Sequence, residues 1–261
     1  MSLAGLGVVA IWHDLLPGAK DEFYEWHNRE HMPERSNIPG FNRGRRYIAL
    51  AGTPEYFNLY EADSPEVLGG IDYLTRLNNP TPWTRAVVAS FRNVVRGICR
   101  VLYSAGVGQG GTMLTLRFDV PEAATDDLTS ALCQRLLPPL LKAPGVAGVH
   151  LCRTDDATSA IETAEKAARS DGTQIPRWVV MIEGVSAAAV EAAAARLRAA
   201  LAPAGAAAFN QATYRFEHQR CTSSSSLRSK LFFRYSKLAI RRMDRRGRPA
   251  LLRPAPNSTT C

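Results

Sequence analysis

The sequence lacks any run of about 18 consecutive apolar residues, so no membrane span is expected. Its first residues, Met1-Ser2-Leu3-Ala4-Gly5, have no basic segment followed by a long apolar one and do not read as a secretory signal. Cysteine is scarce. The five residues, at 99, 133, 152, 221 and 261, are odd in number and show no CxxC spacing. That argues against a disulfide framework or a zinc site and makes a reducing cytoplasm the default location. No glycine-rich nucleotide-binding motif is present, which removes the usual support for a nicotinamide or P-loop cofactor.

The net charge of +8 suggests nucleic acid until it is located. Residues 221–261 hold 10 Lys and Arg against one acidic residue, Asp244, a local charge of +9 that leaves −1 for residues 1–220. A nearly neutral body offers no electrostatic footprint for a phosphate backbone, so no nucleic-acid partner is expected. The segment 221–261, with Thr222-Ser223-Ser224-Ser225-Ser226 followed by Arg-rich and Pro-rich sequence, reads as a largely disordered basic tail. A surface anchor for nucleic acid or membrane is the functional alternative for it.

What is present is a repeated order of elements. Gly7–His13 is β-branched and aromatic and reads as a strand. A helix is expected over 18–32, ended or kinked by Pro33, and Ile38-Pro39-Gly40-Phe41 is a turn. Strands follow near 42–50 and 55–62. A helix over 65–77 opens at Ser64-Pro65. Residues 81–91 read as irregular or a short helix, and a long strand covers 92–104. The order β-α-β-β-α-β is the split βαβ pattern of ferredoxin-like folds. It recurs as a strand at 111–120, a helix at 122–142, strands at 146–153 and 177–185, a helix at 186–201 and a strand at 208–218. Pro144-Gly145 stands in the second repeat where Pro39-Gly40 stands in the first. Segment 154–176 reads as an inserted surface loop with a helical turn. The expected class is α+β, with 1–106 as a first repeat, 107–220 as a second, and 221–261 as the tail. Each sheet has helices on one face only. Its bare face must be buried, and the other repeat is the nearest cover, so the two sheets should close into an α/β barrel.

The stretch Phe23–Arg35 is the richest in chemistry. At about 100° per residue, Phe23, Trp26, His27, Glu30 and His31 share one side of a helix, joined by Glu34 if the helix passes Pro33. Glu25, Asn28, Arg29 and Met32 take the opposite side. The aromatic side should face the sheet and carry ionisable groups into a dry place, where they need partners. Histidines beside carboxylates near an apolar pocket form a proton-transfer device. The alternative is that His27 and His31 only tie helix to sheet. Their i, i+4 spacing also suits zinc, but HNxxH lacks the glutamate of HExxH, so no metal is assigned. His13 ends the first strand on the face of Val9 and Ile11. Tyr56, Asn58 and Tyr60 alternate on the third strand and would line a pocket if that face is the barrel interior. Arg92, Arg96 and Arg100 could bind a carboxylate or snorkel from a sheet edge. The second repeat's first helix offers Leu136, Leu137, Leu140 and Leu141 and no histidine, so the first repeat reads as the active half.

The pattern Phe23-x-x-Trp26-x-x-x-x-His31-x-Pro33, then Pro39-Gly40 and later Pro82-Trp83 and Phe91, resembles the EthD-like branch of the dimeric α/β-barrel superfamily. The resemblance covers about residues 7–104. It implies a shielded cavity between sheet and helices, with the family histidine at His31. It also implies an activity among cyclases, dehydratases, decarboxylases, lactone isomerases and cofactor-independent monooxygenases, with haem bound by some relatives. Such barrels usually form from two chains, and a homodimer remains open. The expected function is a cofactor-independent acid–base enzyme, a lyase or isomerase, acting on a hydrophobic, aromatic or catabolic small molecule. His31 would act with His27 or Glu34. His13, Trp26, Tyr56, Asn58 and Tyr60 would contact substrate. A cofactor-free monooxygenase and a non-catalytic small-molecule or haem-binding module are the alternatives.

Overall fold

Period-two alternation sorts the strand residues into two layers. The computed structural model describes residues 3–222, and the basic stretch from 223 onward lies outside them. Strands β1 (Gly7–Leu15), β2 (Phe41–Ala51), β3 (Tyr56–Ala62) and β4 (Phe91–Gly106) form the first sheet. Strands β5 (Thr112–Asp119), β6 (Val146–Thr154), β7 (Trp178–Gly184) and β8 (Ala207–Cys221) form the second. The order around the molecule is β1-β3-β2-β8-β5-β7-β6-β4, closed. Each half keeps its own ferredoxin-like order, and the antiparallel pairs β2–β8 and β4–β6 join the halves. The architecture is an eight-stranded antiparallel α+β barrel with the helices outside. Among the described residues no helix is long and apolar enough to cross a membrane.

The inward layer is Trp12, Tyr47, Phe57, Leu59, Val95, Met113, Val179, Met181 and Tyr214, a filled core. Tyr56, Asn58 and Tyr60 therefore do not line the barrel interior. Phe57, Leu59 and Glu61 do, and the period of two turns Tyr56 and Tyr60 to the helices. β4 is likewise no edge strand, since it pairs with both β1 and β6. Of its arginines, Arg96 is buried and reaches the Tyr73 hydroxyl at 3.2 Å, while Arg100 is exposed and pairs with Glu66.

Helix boundaries depart from the sequence expectation at identifiable residues. α1 (Lys20–Trp26) continues through a π-helical turn, His27–His31, into α2 (Met32–Ser36), so the helix passes Pro33. The wide turn, in which Met32 N donates to His27 O, advances each residue by less than an α-helical step. That lag brings Met32 off the outer side and buries it against the sheet. There Gly44 makes room: a Cβ at 44 would lie 2.6 Å from Met32 Sδ and 3.0 Å from Tyr60 Cδ1. The second repeat repeats the device. α6 (Thr125–Ala131) leads into a π turn, Leu132–Leu136, and a 3-10 turn, Pro138–Lys142, in place of one helix over 122–142. Gly69-Gly70 splits the expected 65–77 helix into α3 (Pro65–Leu68) and α4 (Ile71–Asn78), and α5 (Pro82–Val88) follows. Gly40 and Gly145 both hold positive φ, 91° and 78°, which explains the paired Pro-Gly turns.

Segment 154–176 is more than a surface loop. Its helices α7 (Asp156–Ala160) and α8 (Ala164–Ala167) cross from the second repeat onto the first. Ser159 Oγ accepts from Ile98 N at 2.9 Å, Gln174 exchanges backbone hydrogen bonds with Val94 and Arg96, and Arg35 pairs with Glu165. The remaining helix, α9 (Ala187–Leu201), packs Val190, Ala194, Leu197 and Leu201 into the apolar layer of the second repeat.

One end of the barrel interior holds a closed charge network. Glu61 binds Arg43 at 2.7 Å and Arg45 at 2.9 Å, and Arg45 reaches Glu183 at 3.0 Å. Burial alone would raise Glu183, but the His150 hydrogen bond and the Arg45 charge hold it down to about 2. Removing one partner strands the others without water. Glu61→Ala is expected to cost about 3–5 kcal/mol, read as a lower urea midpoint, with Glu61→Gln less damaging.

Candidate active site

The layer between the first sheet and α1–α2 holds His13, His27 and His31. Phe23 and Trp26 are buried against the sheet, as the helix periodicity requires. The Trp26 indole donates to Thr84 Oγ1 at 3.1 Å, and Thr84 with Thr81 donates to the Glu30 carboxylate. The π turn then places two imidazoles side by side. His27 and His31 stack with centroids 5.5 Å apart, and Trp26 covers His31 at 4.3 Å.

Hydrogen-bond chemistry fixes the protons. Arg46 Nη1 lies 3.1 Å from His27 Nδ1. A guanidinium only donates, so Nδ1 carries a lone pair and the His27 proton is on Nε2. Nε2–H therefore donates to the Tyr60 hydroxyl oxygen at 3.0 Å, which leaves the Tyr60 proton available for another acceptor. At His13, Nδ1 faces the Asp14 carbonyl at 3.2 Å and must donate, so Nε2 accepts from Asn58 Nδ2 at 3.0 Å. Both rings are neutral on geometry alone.

Electrostatics agree. Burial pushes His13 down to about 3. Burial, then the neighbouring His31 and Arg46, holds His27 well below the usual imidazole range. Burial, then Arg35 and Arg169, does the same to His31. Burial raises Tyr60 above the ordinary phenol range, so its hydroxyl stays protonated.

His27 is 1% exposed and His31 6%. Besides the Tyr56 hydroxyl and Arg169 Nε, two buried polar atoms of this layer have no hydrogen-bond partner among the described residues, His31 Nδ1 and Asn58 Oδ1. Together with the Tyr60 hydroxyl proton they form a base, an acceptor and a donor in a dry layer. Glu34 stands apart from the imidazoles. It pairs with Arg35 at 3.0 Å, and burial raises its carboxyl. Arg169, from the segment crossing over from the second repeat, lies 3.8 Å from Glu165 and completes the cover. Tyr56 stacks on His13 at 5.3 Å and packs tilted against Phe23 at 4.9 Å, a wall of the same layer.

The sequence reading missed Arg46, Arg35 and Arg169. Arg46 was within reach of it, because hairpin register sets Arg46 opposite Asn58 and alternation points both to the helices. The other two depend on the Glu165 crossing, which no local pattern announces.

No family model and no curated protein matches the sequence. Solved structures do match. An anthrone oxidase-like protein superposes with a TM-score of 0.60 at 14% identity, over 84% of this chain and 93% of that one. A candidate monooxygenase of Fusobacterium nucleatum gives 0.54 at 7% identity, over 85% and 97%. A chlorite dismutase-like protein gives 0.52 at 12% identity, over 84% and 96%. The fold is that of the dimeric α/β barrels. In this barrel both sheets belong to one chain.

Haem, which the resemblance raises, does not fit these residues as packed. Both ring nitrogens of His13 and of His27 are hydrogen-bonded, and His31 is enclosed by Trp26, His27 and Tyr60.

Three neutral buried histidines make stability depend on pH with a defined sign. Their folded pKa values lie below the unfolded value near ~6.5, so the unfolded chain takes up protons that the folded chain refuses. Their contribution is intact above that value and is lost as pH falls below it, by about 1.4 kcal/mol per pH unit for each histidine. Urea midpoints should therefore drop between about pH 7 and pH 5. His31→Gln should show a shallower drop by as much as one proton's share.

Proposed function

We propose that the helix–sheet layer of the first repeat is the active site of an enzyme that moves a proton on a hydrophobic, aromatic small molecule without a cofactor. The observation that carries this reading is the unpartnered His31 Nδ1, held in a neutral ring beside a His27–Tyr60 pair whose tautomer Arg46 fixes. A neutral imidazole keeps one ring nitrogen with a lone pair that can accept a proton. The burial that keeps the ring neutral also lowers its basicity, so transfer depends on the substrate anion left behind, whose charge stabilises the imidazolium in the dry layer.

His31 takes the proton. Tyr60 donates its hydroxyl proton in a hydrogen bond to the substrate oxygen on which negative charge develops. Asn58 Oδ1 accepts from a substrate hydroxyl, and Trp26 forms the apolar wall. His27 and Arg46 position Tyr60. Returning the proton to a different atom gives an isomerase, and expelling a leaving group gives a lyase. The resemblance of Trp26–His31–Pro33 to the EthD-like pattern supports the assignment of His31. Entry of substrate accompanies displacement of the Glu165–Arg169 cover, since the imidazoles are otherwise closed off.

A second reading begins with the same proton abstraction. A substrate anion shielded from water is slow to be reprotonated and can pass electrons to molecular oxygen, which would make the protein a cofactor-independent monooxygenase. The exclusion of water from His31 favours it, and two structural neighbours carry the description monooxygenase.

The test is a panel of aromatic ketones and lactones in deuterated water, followed by NMR for exchange and turnover with an oxygen electrode alongside. His31→Ala should lower kcat by about a hundredfold or more with a smaller change in KM. Tyr60→Phe should lower it less. Oxygen uptake coupled to turnover selects the monooxygenase. Ligand binding that weakens in His31→Ala, with no turnover in either protein, would show a binding module instead.

A further inference from the structure

The barrel interior has two polar ends, and they are built differently. At one end Arg43 and Arg45 are matched by Glu61 and Glu183. At the other, β5 sends Met113, Thr115 and Arg117 inward while Leu114, Leu116 and Phe118 face the helices. Arg117 is 7% exposed, yet among the described residues no carboxylate pairs with it. Its guanidinium lies over the Trp12 ring at 4.8 Å and donates to Asn210 Oδ1, and its Nε–H has no acceptor. Burial lowers its pKa, an effect that the nearby Tyr214 offsets only in part. A buried cation left unpaired in this way is costly, so such groups ordinarily have an anion beside them.

Space for an anion is present. Arg117 lines a cavity of about 360 Å³ at this mouth of the barrel. Arg177 stands on the rim with the polar side chains of Asn93, Gln174 and Asn210. Asp119 is also on the rim, exposed, and ion-pairs with neither arginine. Val95, Pro54 and Pro176 give the wall an apolar part. A volume of this order holds a small organic molecule rather than a bare ion. The cavity is on the opposite face of the sheet from His13 and His31, because Trp12 points inward where His13 points to the helices.

We propose that this mouth of the barrel is a second binding site, taking a small organic carboxylate whose anionic head pairs with Arg117 and whose apolar body rests in the cavity. Guanidinium and carboxylate match in charge and geometry. Arg177 adds attraction at the rim.

Calorimetric titration of the full chain tests it, using benzoate, its neutral analogue benzamide, and inorganic phosphate. Benzoate should bind, and benzamide and phosphate should each bind about tenfold more weakly or not at all. Arg117→Met should lose benzoate affinity by about tenfold or more. Without ligand it should melt no lower than the parent, because it removes an unpaired buried charge. If that variant does not fold, Arg177→Ala should weaken benzoate binding and flatten its salt dependence. His31→Ala should leave benzoate affinity unchanged, which separates this site from the helix–sheet layer. Equal binding of benzoate and benzamide, no binding of benzoate at millimolar concentration, or full affinity in both arginine variants would overturn the site. Phosphate binding as tight as benzoate would overturn the organic carboxylate in favour of an inorganic anion.

Discussion

A four-stranded sheet that carries its helices on one face leaves the other face bare, and everything else in this molecule follows from covering it. The cover is a second sheet of the same order in the same chain. The pairs β2–β8 and β4–β6 remove all four edges at once, so among the described residues none of the eight strands has a free edge to template association. The common interior is filled by Trp12, Tyr47, Phe57, Met181 and Tyr214. A filled interior leaves the helix-facing layer and the mouths of the barrel as the places where chemistry can sit.

The two helix-facing layers differ by composition on one shared geometry. Each first helix runs into a π turn followed by proline, at His27–His31 and at Leu132–Leu136. In the second repeat that turn joins Leu137, Leu140, Val190 and Leu197 in an apolar layer. In the first repeat it carries two imidazoles, both kept neutral first by burial, with Arg46 and Tyr60 fixing the tautomer of His27. A buried π turn that delivers side chains in the same place twice, once apolar and once polar, separates scaffold from site. The division between the repeats is not complete, because Glu165 of the second half pairs with Arg35 of the first and with Arg169.

Much of this was legible in the residues. The alternation of strands and the paired Pro-Gly turns disclosed two similar halves, and the spacing of Phe23, Trp26, His27 and His31 disclosed a helix face with aromatic and ionisable groups together. Which face of β3 looks inward was not legible, because both sets, Tyr56-Asn58-Tyr60 and Phe57-Leu59-Glu61, mix polar and apolar side chains, and only closure decides between them. The continuation past Pro33 was hidden because a π turn absorbs the missing N–H that would end an α-helix. The role of segment 154–176 was hidden for a different reason. Its partners, Arg35, Asn78, Ala89 and Ile98, are distant in sequence, and a short polar insertion carries no sign of what it will touch.

The neutrality of the buried imidazoles is the claim on which the chemistry rests. It is read most directly by NMR titration of the assigned histidine ring resonances, with ring nitrogen shifts to report the tautomer. His13, His27 and His31 should keep neutral-ring shifts from about pH 8 down to about pH 5, with His27 protonated on Nε2 and His13 on Nδ1. Titration of His27 or His31 with an ordinary midpoint near ~6.5, or a His27 proton on Nδ1, would contradict the burial, the Arg46 contact and the proton-transfer role built on them.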